Sequence, residues 1–121
     1  LLFDNGMLGE REWSRAMEIE LNHEQGTAEV VWEYRPDPDI YARIWGDADR
    51  LPNGNTLITF GLREEEREVT HLIEVTPGGE RAWEVRYPLK WGSYRAERLA
   101  ETPFGYVIPA TRTNPYEFPA N

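Results

Sequence analysis

An all-β fold is predicted by three observations. Apolar and polar residues alternate with a period of two through several segments, as they do along a half-buried strand. Nine prolines and ten glycines punctuate the chain at intervals too short for a helix. The same hairpin pattern is also written twice, about fifty residues apart. With 121 residues, 40% of them hydrophobic and 12% aromatic, there is material for one compact domain with a real core.

Taken in chain order, "LLFDNG" (1–6) has the character of a strand that closes a hairpin. In "SRAMEIEL", Met17, Ile19 and Leu21 oppose Glu18 and Glu20. In "TAEVVWEY", Ala28, Val30, Trp32 and Tyr34 are expected on one face, with Glu29, Val31 and Glu33 on the other. These two strands form a hairpin around "NHEQGT". "RPDPD" reads as a rigid connector, because each proline fixes its own backbone. An inner hairpin follows from about Ile44 to Gly61, turning at Asn53-Gly54, where a left-handed conformation is required and Pro52 ends the first strand. "GLREEERE" has no apolar stripe and reads as a solvated loop. An outer hairpin runs from about Val69 to Tyr87, turning in "TPGGE", and a last inner hairpin begins at "SYRAERL" and closes at "GYVIPA" (105–110).

The repeat is explicit in two alignments. "VVWEYR" on "RAWEVR" places Trp32 on Trp83 at an offset of 51, and "ADRL" on "AERL" places Ala48 on Ala96 at an offset of 48. This spacing suits a four-stranded propeller blade, a unit that buries its faces only against neighbouring units. The expected organisation is a single partial β-propeller domain: a blade remnant at 1–34, a complete blade at about 43–87 and a partial inner hairpin at about 93–110. That amounts to about two four-stranded antiparallel blades. Two blades cannot close a ring, so the expectation is either a fragment of a longer chain or several copies assembling as a homo-oligomer to complete the propeller. A single β-sandwich with two similar hairpins is the ordinary alternative.

Charge narrows the partners. Twenty-two acidic against thirteen basic residues give a net charge of −9, a field that repels nucleic acid and anionic membrane surfaces alike. The absence of cysteine removes disulfides, thiolate metal sites and a cysteine nucleophile. No apolar run approaches the ~20 residues of a membrane-spanning helix.

"LLFDNG", "WSRAMEIELN…GTAEVVWEY", "GDADRLPNGNTLITFG", "IEVTPGGERAWEV" and "YRAERL", in that order from Leu1 to about Leu99, resemble the C-terminal blades of the arylsulfotransferase family, the bacterial PAPS-independent aryl-sulfate sulfotransferases. The resemblance implies a six-bladed propeller, no cofactor and a periplasmic or extracellular location. It implies transfer of a sulfuryl group from a phenolic sulfate to a phenolic acceptor through a transiently sulfated histidine. That histidine precedes the "FDNG" strand in the family, so its equivalent is expected upstream of Leu1, and no catalytic residue is assigned here. His23, in a turn, and His71, on a strand with Val69 and Ile73, are read as structural.

Substrate-binding candidates are Tyr94, Arg95, Asp4 and Asn5. The family's Thr-x-Tyr-Arg-Ala pattern reads Gly92-Ser93-Tyr94-Arg95-Ala96, which keeps the guanidinium fork suited to a sulfate but loses the threonine hydroxyl. Arg95 either faces the channel, pairs with Glu97 or bridges blades. Asp4 and Asn5 either line the channel or cap the turn at Gly6. Arg43 and Trp45 are further candidates on the other inner strand. Asp37, Asp39, Asp47 and Asp49 lack the spacing of a calcium loop, and no metal site is assigned. Trp32 and Trp83 read as blade packing. A non-catalytic propeller module for binding or assembly is the alternative function.

Overall fold

The computed structural model describes residues 1–63, 70–88 and 90–99. It is all-β, with seven strands and no helix among the described residues: β1 (Leu2–Asp4), β2 (Arg15–Asn22), β3 (Thr27–Tyr34), β4 (Ala42–Arg50), β5 (Thr56–Arg63), β6 (His71–Val75) and β7 (Arg81–Arg86). They form two antiparallel meanders, ordered β1-β2-β3 and β4-β5-β6-β7. Three expectations lie outside the described residues: most of the acidic loop after Leu62, the strand start at Val69, and the closing strand "GYVIPA" of the last hairpin. Residues 93–99 cross the second sheet without forming a regular strand.

The two hairpin turns of the second sheet share one construction. Gly54 N–H donates to Leu51 O at 2.9 Å and Leu51 N–H to Asn55 O at 2.8 Å; Gly79 N–H donates to Thr76 O at 2.9 Å and Thr76 N–H to Glu80 O at 2.8 Å. In each, proline presets the second position, and glycine adopts the left-handed conformation at φ 86° and 85°. Only Gly54 of the Asn53-Gly54 pair is left-handed. Asn53 instead uses its side chain, accepting from Asn55 N–H at 3.0 Å.

The facing expected for β3 requires correction. Glu18 pairs with Trp32 but Ile19 with Val30, so Val31 is an extra residue in a bulge. Trp32 and Tyr34 therefore share a face with Ala16 and Glu18, while Ala28 and Val30 turn to the opposite face with Ile19 and Leu21. The second sheet repeats this defect at the equivalent place: Glu74 pairs with Trp83 and Val75 with Arg81, leaving Ala82 as the extra residue. In both sheets a glutamate lies opposite a tryptophan that follows a bulge.

Phe3, Ala16, Trp32 and Tyr34 of the first sheet pack on the face of the second that carries Ala48, Ile58, Phe60, Ile73 and Val75. Phe3 meets Phe60 edge-on at 5.2 Å, Trp32 Nε1 donates to Pro77 O at 3.1 Å, and Arg50 bridges to Glu18 at 2.7 Å. The faces that meet are not equivalent ones. With Glu18 matched to Glu74 and Trp32 to Trp83, the interface surface of the first sheet corresponds to the other, outward surface of the second, which bears Leu57, Leu72, Glu74 and Trp83. The two sheets are thus stacked head to tail. Residues 93–99 lie on that outward surface, where Arg98 bridges to Glu74 at 2.7 Å. Arg98 stands 48 residues after Arg50, so the Glu18–Arg50 contact recurs one unit later.

Candidate functional site

The junctions between units are built around buried hydroxyls. Ser14 is fully buried. Its N–H donates to Ile40 O at 2.8 Å, its hydroxyl to Asn5 O at 2.6 Å, and the hydroxyl oxygen accepts from Ala42 N–H at 2.9 Å. Thr70, also fully buried, does the same one unit later: its N–H donates to Trp91 O at 3.2 Å, its hydroxyl to Gly61 O at 2.7 Å, and Ser93 N–H donates to it at 2.7 Å. The first knot ties the start of β2 to the start of β4, and the second ties β5 and the start of β6 to the segment at Trp91–Ser93. In the second knot Tyr87 N–H also donates to Thr70 O. Its counterpart in the first is Pro36, which has no N–H to give.

Asn5 and Gly61 occupy equivalent places in these knots. Asn5 Nδ2 donates to Ala42 O at 2.7 Å and to Trp45 O at 2.8 Å, clamping β4 from the preceding sheet. The clamped backbone is irregular. Arg43 is the extra residue where the β4–β5 register shifts, Trp45 is left-handed at φ 61°, and Gly46 follows at φ 146°. A left-handed tryptophan is strained, because its Cβ crowds the backbone. Gly61 relieves the crowding from below, where a Cβ would lie 2.5 Å from that of Trp45, and a Cβ on Gly92 would overlap the indole ring. Gly61 lies against the Trp45 Cβ and Gly92 against its indole ring, and the Thr70 knot holds both glycine segments in place.

Asp47 follows on the same strand. Burial pushes its carboxyl above the ordinary value, and the neighbouring Asp49 adds to the rise. Arg95 approaches it at 3.5 Å and also pairs with Glu97. Both contacts foreseen for Arg95, the local partner and the bridge between units, are present together. Tyr94 is 69% exposed beside it.

Asp4 lies on the other face of the first sheet. Its Oδ1 accepts from Gly6 N–H at 3.2 Å, which caps the turn, and its carboxylate takes Arg11 at 2.5 Å and Arg15 at 3.1 Å. Burial alone would raise its pKa; the hydrogen bonds from Arg11, Gly6 and Arg15 outweigh it and hold the carboxyl below the ordinary range. Arg11 and Arg35 stack over Trp13 at 4.4 and 4.0 Å, and Arg35 grips Asp39 with two bonds of 2.6 Å. Asp4 therefore belongs to a charge network apart from Asn5, Trp45 and Arg95, which the structure gathers along β4.

His71 is buried, with Nε2 3.2 Å from Glu84. His23 lies at the β2–β3 turn, in a depression lined also by Glu20, Glu24 and Glu29, whose charge repels an anionic ester. Ser14, Thr70 and the Asn5 clamp were not singled out by sequence reasoning. The signal that could have found them is the recurrence of a hydroxyl residue at positions 14 and 70, 56 residues apart.

Fold and junction together define an all-β protein of two antiparallel sheets, of three and four strands, stacked through unlike faces. Residues 1–95 match the model of the Arylsulfotransferase (ASST) family. The chain belongs to that family. No curated protein and no solved structure matches it. Among the described residues no helix is long and apolar enough to cross a membrane.

Proposed function

We infer that the chain forms successive blades of a closed β-propeller, and that its inner strands wall a site where a sulfuryl group passes from a phenolic sulfate to a phenolic acceptor. The observation that carries the array is the repeated junction. The same hydroxyl knot and the same Glu–Arg bridge recur from one unit to the next, and unlike faces meet where the two sheets stack. Heterologous packing of this kind propagates, and it closes into a ring where the rotation between units brings the last face onto the first. The free face of the first sheet supports the reading, since Leu2, Leu21 and Val30 are exposed there, as expected of a surface covered by a preceding blade. Six blades, and an extracytoplasmic location, are taken from the family.

In the transfer, a neutral imidazole nitrogen attacks sulfur, the bond from sulfur to the aryl oxygen breaks, and the phenolate leaves. The acceptor oxygen then attacks sulfur, the N–S bond breaks, and the phenolic proton passes to a base or solvent. Neither His71, buried against Glu84, nor His23, at the acidic turn, is placed for this. The nucleophile is assigned to blades outside residues 1–121. Arg95 and Tyr94 are the sulfate-side residues of this chain, with Arg95 exchanging its exposed Glu97 contact for sulfate oxygens. The other blades come either from the same polypeptide or from further copies of the chain.

The test is a transfer assay on the polypeptide encoded by the whole uninterrupted reading frame, with phenyl sulfate as donor and a second phenol as acceptor. Turnover with a sulfate-labelled histidine is expected. Absence of both turnover and label would leave a non-catalytic binding or assembly module.

A further inference from the structure

We propose that Trp45 is the stacking platform for the aromatic ring of the ligand, and that Asn5 is the positioning residue that holds it in place. The inference rests on the phenolic-sulfate reading above and names the residue that would recognise the phenol ring.

The repeat unit changes length within β4. Ala42 and Ser93, which donate to the two knot hydroxyls, are offset by 51, whereas Arg50 and Arg98 are offset by 48. Three residues are therefore inserted in β4 between these anchors, in the segment containing Arg43, Ile44, Trp45 and Gly46. The knot, the tryptophan bulge and the Glu–Arg bridge are preserved between units; the other length change, five residues, lies at the far end of the β2–β3 hairpin beyond its bulge and away from the junction. The insertion carries the register shift and the left-handed Trp45. Local departures from an otherwise consistent pattern concentrate at functional sites, because strain is retained only where something else depends on it.

Three features keep the strained residue in place. Asn5 donates two hydrogen bonds to carbonyls on both sides of the shift. Gly61 leaves room for the Trp45 Cβ, and Gly92 leaves room for its ring. Thr70 fixes both glycine segments through its single hydroxyl. Trp45 nonetheless remains 41% exposed, and Trp91 and Tyr94, on either side of Gly92, are 60% and 69% exposed. A core tryptophan needs no such support and would be covered. A rigid, half-open indole laid against the Gly92 segment, with Arg95 three residues further along that segment and paired to Asp47 of β4, matches a planar ring that carries an anionic ester. In this arrangement Asn5 does not touch the ligand; it sets the angle of the indole through the backbone.

The test uses the full chain labelled with 5-fluorotryptophan, whose five tryptophans give five fluorine resonances. The Trp45 signal is assigned by its loss in Trp45→Phe. Phenyl sulfate is expected to shift that signal, while methyl sulfate and inorganic sulfate leave it in place. Trp45→Leu should weaken phenyl sulfate binding roughly two- to tenfold, the range of one aromatic contact, and Trp45→Phe less. Asn5→Ala should broaden or move the Trp45 signal without ligand and reduce the preference for phenyl over methyl sulfate; a merely structural Asn5 would lower the melting temperature and leave that preference unchanged. The proposal is overturned if phenyl sulfate at millimolar concentration moves no resonance, or moves only those of other tryptophans. Sulfuryl transfer by the whole reading frame, with phenyl preference unchanged in Trp45→Leu, would sink the platform while sparing the family chemistry.

Discussion

Replacing Ser14 by alanine removes one hydroxyl that serves two backbone groups, and the cost follows from what those groups then lack. Ser14 and Ala42 are both fully buried, so Ala42 N–H loses its 2.9 Å acceptor where water has little access. Asn5 O loses a 2.6 Å donor in a partly buried position. An unsatisfied buried polar group costs about 1–3 kcal/mol, with the partly solvated carbonyl at the low end. Together the two give roughly 2–4 kcal/mol, a large fraction of the ~5–15 kcal/mol that holds a domain folded. The void left by one oxygen adds little. Equilibrium unfolding in urea measures the total, and amide exchange at Ala42 localises it. Thr70→Val should behave similarly, because it keeps the shape and removes the same bonds to Gly61 and Ser93. A loss below about 0.5 kcal/mol in both variants, with Ala42 exchange unchanged, would refute the idea that these hydroxyls join the units.

Asp4 has a folded pKa held below its ordinary value, so its stabilising contribution is complete above the unfolded pKa and is lost as pH falls through the folded one; thermal melts from neutral to strongly acid pH should show a shallower acid limb in Asp4→Asn. Asp47 has the opposite sign. Its raised pKa means that a penalty accrues as pH rises from the ordinary value through the folded one, and Asp47→Asn should match or exceed the parent's melting temperature at neutral pH. Glu74→Gln should destabilise more than Glu18→Gln, since the Glu74 side chain is 4% exposed and that of Glu18 44%; double-mutant cycles with Arg98 and Arg50 check the order, and equal coupling would contradict it. Gly46→Ala places a Cβ into the Phe3 ring at a left-handed φ, for an expected loss of at least ~2 kcal/mol in urea unfolding.

Strand positions were legible because they rest on local chemistry. Alternation in "MEIEL", proline followed by glycine in "LPNG" and "TPGG", and the doubled Trp-Glu pattern each act within a few residues. The facing of Trp32 was not legible. A bulge adds one residue to a strand without altering composition, and the inversion it causes is decided by the partner strand. The mixed outcome for the candidate residues has the same origin. Arg95 has its local partner Glu97 at two residues' distance, whereas its second partner Asp47 is 48 residues away. Asp4 and Asn5 are adjacent in sequence yet enter separate networks, because β1 ends at Asp4, whose side chain stays on the free face of its sheet, while Asn5 beyond the strand end reaches β4.

By itself the sequence determined that the chain is all-β, that its unit is a hairpin pair recurring at about fifty residues, and which family it resembles, since all three depend on periodicity, turn chemistry and the order of short motifs. Only the tertiary structure decided which faces meet, that Ser14 and Thr70 hold successive units through the same bonds, and that Asn5 clamps a left-handed Trp45 forty residues away. Those contacts join backbone groups across sheets, and a backbone carbonyl looks the same in every residue until the fold has chosen its partner.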